Sequence, residues 1–105
     1  MEKVIKIDGK ETRLVANGAT PRLYRSLFAR DVFGDMSRAV EGDVLVDAEV
    51  FENLLYTMAK AGGLEISIDE WLAGMDSPTA IIDVVPEVLS LWLKTNETTV
   101  NGKKK

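Results

Sequence analysis

The densest run of apolar positions in the chain lies between Ser77 and Thr95. Set at about 100° per residue, Ile81, Ile82, Val84, Val85, Val88, Leu89, Leu91, Trp92 and Leu93 cover more than half of a helical circumference. Asp83, Glu87, Ser90 and Lys94 form the polar strip. A surface helix needs one apolar stripe, so this segment is expected to be covered on several sides, as the core helix of the fold or as a subunit contact. Ser77-Pro78 supplies its start, a capping serine followed by a proline whose missing N–H costs nothing in the first turn. Pro86 lies inside the run, where it deletes the bond to the Ile82 carbonyl and predicts a kink or a break near residues 82–86.

The rest of the chain falls into shorter units. Val4-Ile5-Lys6-Ile7 and Glu11-Thr12-Arg13-Leu14-Val15 are β-prone runs around Asp8-Gly9, a pair that accepts the positive φ values of a tight hairpin turn. Two strands alone are marginal in water, so Ile5, Ile7 and Leu14 are expected to face inward on other elements. Thr20 and Pro21 predict a helix that runs to about Asp31, with Leu23, Tyr24, Leu27 and Phe28 on one face and Arg22, Arg25, Ser26, Ala29 and Arg30 on the other. Val32 to Gly42 reads as a turn plus a short helical piece capped by Asp35, and Val44-Leu45-Val46 is too short to assign by periodicity.

Asp47 caps a second clear helix that stops at Gly62-Gly63. Val50, Phe51, Leu54, Leu55 and Met58 make its buried face, opposite Glu49, Glu52, Asn53, Tyr56 and Lys60. Ser67-Ile68-Asp69-Glu70 is a capping box ahead of Trp71, Leu72 and Met75. From Asn96 the chain reads as a frayed tail. These elements predict an α+β domain, mainly helical, with an N-terminal β-hairpin packed on a bundle of three or four helices. It occupies residues 1–96, with a flexible basic tail at 97–105.

Composition narrows the chemistry. The 105 residues are 46% hydrophobic, with two Trp, two Tyr and three Phe. That is enough for one modest core and unlike a disordered acidic chain. Cysteine and histidine are both absent, so thiolate and imidazole chemistry, the commonest routes to metal binding and general base catalysis, are missing. The net charge is −4, which argues against nucleic acid as a partner, since phosphate binding needs clustered Lys and Arg. Residues 96–105, with Glu97 against Lys103, Lys104 and Lys105, carry +2 and leave −6 on the body. No run has the pattern of a signal peptide or a membrane span, so a cytoplasmic protein without membrane partners is expected.

No arrangement of residues announces an active site. The stretch ending at Glu70 has the outline of a calcium loop, but Ala59, Ala61 and Gly63 stand where ligand oxygens belong. The closest carboxylate pairs, Asp69 with Glu70, Asp83 with Glu87 and Glu49 with Glu52, suit capping, helix-dipole or solvated-face roles better than catalysis. No phosphate loop is present. The chain is therefore expected to be no enzyme and to need no cofactor. Candidate partner-binding residues are Arg22 and Arg25, which could meet an acidic surface or simply form a solvated face. Tyr56, an aromatic on a polar face, is either a partner anchor or a rim residue packed on a neighbour. Trp92 is either part of the contact surface of the last helix or core.

With these elements placed, a resemblance appears. The short hairpin, Thr20-Pro21-Arg22-Leu23-Tyr24-Arg25 with Leu27-Phe28 and Arg30-Asp31, then Leu54-Leu55-Tyr56-Thr57-Met58-Ala59-Lys60, Glu70-Trp71-Leu72 and Leu91-Trp92 together resemble small tail assembly chaperones of long-tailed phages and prophages of Gram-positive bacteria. The likeness runs to about Asn96 and rests mostly on packing residues. It implies a non-enzymatic factor in the bacterial cytoplasm that binds the tape-measure protein, keeps it soluble, helps recruit tail-tube subunits and is absent from the finished virion. It also implies that many members exist in a short form and a frameshifted long form. Part of Ile81 to Leu93, or the hairpin edge, would then serve client binding or self-association as a homo-oligomer. The alternative is a small regulatory protein-binding module, such as an antitoxin or transcription adaptor.

Overall fold

The computed structural model describes residues 1–41, 44–45 and 47–104, with side chains for 1–39 and 47–93. Strands β1 (Glu2–Ile7) and β2 (Lys10–Val15) pair antiparallel through a two-residue turn in which Asp8 and Gly9 have φ of 55° and 81°. Both angles are positive, as a turn that matches strand twist requires. Ile5, Ile7 and Leu14 lie on the inner face and are buried, as the alternation predicts. The turn is tied down, because the Asp8 carboxylate accepts from the Asp76 N–H at 2.7 Å and Lys10 Nζ donates to the Gly74 carbonyl at 3.3 Å.

Five helices follow: α1 (Thr20–Phe28), α2 (Val32–Ala39), α3 (Ala48–Ala61), α4 (Ile68–Ala73) and α5 (Ala80–Lys104). Between α2 and α3 a second small antiparallel ladder joins β3 (Val40–Glu41) to β4 (Val44–Leu45), which types the first two residues of the segment that periodicity left open; Val46 lies outside the described residues. The architecture is α+β and mainly helical, with the hairpin at the N-terminal end.

Its hub is α3, a correction to the expectation that the chain is organised around the last helix. Phe51, Leu54, Leu55, Thr57 and Met58 are fully buried, and α3 packs against β2, α1, α2 and α5. On α5 the buried positions Ile81, Val84, Val85, Val88, Leu91 and Trp92 form one regular stripe, while Ile82 and Leu93 stay 39% and 57% exposed. Where α3 ends, Gly62 lies so close to the Arg13 carbonyl that a Cβ there would overlap it. The glycine lets the helix end pack onto the β2 edge.

Several helix ends differ from expectation. Helix α1 stops at Phe28 rather than near Asp31, since Ala29 turns left-handed at φ 57° while its N–H still bonds to the Arg25 carbonyl at 2.7 Å. Thr20 does not cap α1; it is the first helical residue, and its hydroxyl accepts from the Asn17 N–H at 2.9 Å. Asp35 is inside α2, whose start is held by Asp31 accepting from the Gly34 N–H at 3.1 Å. The caps at Asp47 and Ser67 are as predicted, accepting from the N–H groups of Glu49 and Glu70.

Helix α5 begins at Ala80, two residues after Pro78, because Ser77 first closes a turn with Thr79. It passes through Pro86 without a break. Ile82 and Pro86 both lie on the exposed side, so water can take the carbonyl that proline leaves without a donor. The expected domain boundary at 96 and the tail at 97–105 fall on residues whose side chains lie outside the described set.

Candidate functional site

Among the described residues a polar cluster in the interior is built where α1 turns into α2. Val32, Asp35, Met36 and Ala39 are the buried residues of α2, so an aspartate occupies the middle of an apolar stripe. A buried carboxylate is costly unless paired and hydrogen-bonded, and this one is saturated. Its Oδ2 accepts from the Tyr24 hydroxyl and from Arg30 Nε, each at 2.8 Å. Its Oδ1 accepts from Arg30 at 2.8 Å and from Arg38 at 2.6 Å. Arg30 therefore binds the carboxylate with two donors, the fork geometry of its guanidinium.

The left-handed turn at Ala29 puts Arg30 into position, and the i, i+3 spacing brings in Arg38. The Arg30 hydrogen bonds hold the Asp35 carboxyl well below its usual range, at about 2, against the opposing effect of burial. Burial, then the neighbouring Asp35, raises the Tyr24 hydroxyl. Such a cluster fixes the angle between α1 and α2. It has no nucleophile or base poised beside open space, so it reads as a staple.

The predicted partner residues do not converge. Arg22 and Arg25 are exposed and make no ion pair among the described residues, but Arg30 leaves the expected three-arginine face to bind Asp35. Tyr56 is 4% exposed, not on a polar surface. Its ring stands between Phe28 and Trp71 at centroid distances of 6.3 and 5.7 Å, and its hydroxyl donates to the Ile66 carbonyl at 2.7 Å. Helix α4 and the loop before it create that cover, which the helical wheel of α3 alone does not show. Trp92 is buried on the inner stripe of α5, and the half-exposed Phe33 covers it at 5.5 Å.

Among the described residues, a groove beside the cluster and the outer side of α5 also bear on binding. A groove of about 330 Å3 lies among Phe28, Arg30, Glu49, Glu52, Ile68 and Leu72. Glu52 titrates higher than usual there, through burial first and then the nearby Glu49 and Asp47. Among the described residues no group of three or more Asp or Glu could hold a metal ion.

The second feature is on α5. Ile82, Pro86, Leu89 and Leu93 follow one another at spacings of four, three and four, the heptad spacing of a helix-pairing seam. Ile82, Pro86 and Leu93 are exposed and Leu89 is partly buried. Sequence reading had Ile82, Leu89 and Leu93 in hand within the wide apolar arc, and took Pro86 only as a kink site. It missed the division of that arc into a covered stripe and an open one.

No family model, curated protein or solved structure matches the chain. Among the described residues no helix is long and apolar enough to cross a membrane.

Proposed function

We propose that this chain is a non-enzymatic tail assembly chaperone of a phage or prophage, which binds the tape-measure protein in the host cytoplasm and helps recruit tail-tube subunits. The reading grows from the family resemblance of the sequence. The observation that supports it is the open seam Ile82-Pro86-Leu89-Leu93 on α5. An amphipathic helix laid along such a seam buries its own apolar face in exchange, and a long helical client offers that face repeatedly. A patch of this kind on a small acidic body can shield client surface that would otherwise aggregate. On this reading Arg22, Arg25 and the acidic groove are solvated surroundings.

Co-expression with the long helical reading frame expected beside it in the genome tests the proposal. The expected result is a soluble complex on size-exclusion chromatography, with the client insoluble when made alone. Ile82→Glu and Leu93→Glu should abolish the complex while leaving the thermal melt within a few degrees, because both side chains face solvent. A client that stays insoluble with the wild type refutes the chaperone reading and puts the regulatory module first. A complex that survives both substitutions moves the client away from α5.

A further inference from the structure

The N-terminal sheet has two strands, and among the described residues no strand pairs with the outer edge of β1, while α5 packs against the strand. The register pairs Ile7 with Lys10, Ile5 with Thr12 and Lys3 with Leu14. A two-residue turn makes its flanking residues a hydrogen-bonded pair, and such pairs recur at every second position. The mutual bonds of Met1 and Ala16 continue the series. The N–H and C=O groups of Glu2, Val4 and Lys6 therefore point away from β2, and none has a hydrogen-bond partner among the described residues. The corresponding edge of β2 is closed at Arg13, where the end of α3 packs on the carbonyl. Among the described residues only β1 offers a run of three residues for pairing.

We infer that the β1 edge pairs with the β1 edge of a second copy of this chain, forming a four-stranded antiparallel sheet across a two-fold axis beside Val4. The occupant follows from the charge order of the strand. With Val4 facing its own counterpart, Glu2 of each copy stands opposite Lys6 of the other. All three outward-pointing residues of each strand are then matched. Within one hairpin Lys6 already faces Glu11 across the ladder and Glu2 already pairs with Arg13 at 2.8 Å, so the outer surface acquires rows of alternating charge running Glu11, Lys6, the second copy's Glu2 and the second copy's Arg13. Cross-strand pairs of this kind stabilise sheets, and like charges directly opposite destabilise them.

Neighbouring registers are worse. A slip of two residues one way sets Lys3 against Lys3 of the other copy and leaves Lys6 without an opposite residue in the strand. The other way removes both Glu–Lys pairs. Val4, 57% exposed in the single chain, gains an apolar contact at the axis. Lys3 falls opposite the second copy's Ile5, where its methylenes can extend the apolar face while the ammonium reaches water. This pairing is independent of the proposed function and engages β1, not the α5 seam.

The test uses the full chain in sedimentation equilibrium, with the charge reversals Glu2→Lys and Lys6→Glu. The wild type should show twice the 11.6 kDa of one chain. Each variant alone brings like charges together at both pairs and should weaken the dimer on the order of tenfold to a hundredfold. An equimolar mixture of the two variants restores opposite charges at both pairs and should recover the dimer. Hydrogen exchange supplies a readout free of substitution, with the Val4 and Lys6 amides protected more strongly as wild-type concentration rises. A wild-type monomer throughout, dimers indifferent to both reversals, or a mixture that stays monomeric overturns the inference. So does a Val4 amide protected only in complex with another protein, which assigns the edge to a client strand.

Discussion

Replacing Asp35 by Asn tests the reasoning about the buried cluster most directly. The side chain is 1% exposed and accepts four hydrogen bonds, three of them from arginines. Lowering its carboxyl from the ordinary 3.8 to about 2 corresponds to roughly 2 kcal/mol of stability at neutral pH, at about 1.36 kcal/mol per pH unit. The amide keeps one acceptor but turns an NH2 toward donors, so a loss of about 2–3 kcal/mol is expected. In a chain of this size that lowers the melting midpoint by roughly 10 °C or more.

The sign with pH follows from the depressed value. The contribution is fully present above 3.8, the ordinary range of an unfolded aspartate, and is lost as pH falls through about 2. Urea unfolding of wild type and variant between pH 7 and pH 2 should show a gap that is constant at the upper end and closes in acid. Other carboxylates weaken both proteins together and cancel in the difference. A gap below about 0.5 kcal/mol at pH 7, or one that persists unchanged at pH 2, would falsify the staple.

Two further substitutions probe how the helix ends are built. Gly62→Ala drives a methyl into the Arg13 carbonyl. It should cost about 1–3 kcal/mol by urea melts and should raise hydrogen exchange in β2 before it does so in α2; an unchanged melt would mean that α3 does not close on the strand. Ala29→Gly relieves a left-handed residue at φ 57° and should stabilise by about 0.5–1 kcal/mol in thermal unfolding, with a loss of stability contradicting the assigned turn.

What could be read from the sequence was whatever depends on neighbours a few residues away. The hairpin is specified by Asp8-Gly9 and by the alternation of Ile5, Ile7 and Leu14, and the caps at Asp47 and Ser67 by side chains that answer N–H groups two or three positions on. Misreadings occurred where a distant or competing partner decided. Asp35 looked like a cap because short polar residues often are, yet Asp31 holds that end and Asp35 pairs instead with Tyr24 and Arg30 from outside its helix. A sequence signal was available there, since Asp35 stands among Val32, Met36 and Ala39 at core spacing. Tyr56 was misplaced because the wheel of α3 cannot show that α4 covers its polar side. The role of hub passed from α5 to α3 for a related reason: a wide apolar arc says how much surface could be covered, not which elements do so.

The two surfaces would together suit the proposed chaperone, which has to hold a client and later release it. The β1 edge uses backbone groups and a fixed charge register, which selects a partner with one particular strand. The α5 seam is apolar and carries no charge code in Ile82, Pro86, Leu89 and Leu93, so it discriminates little among amphipathic helices. A dimer joined through β1 would carry two such seams on one body. For a client that repeats its apolar face, the second contact is then made at the effective concentration set by the first, and avidity can exceed either single affinity by orders of magnitude. On the chaperone proposal each individual contact could stay weak enough to be displaced, because the strength would lie in their coupling.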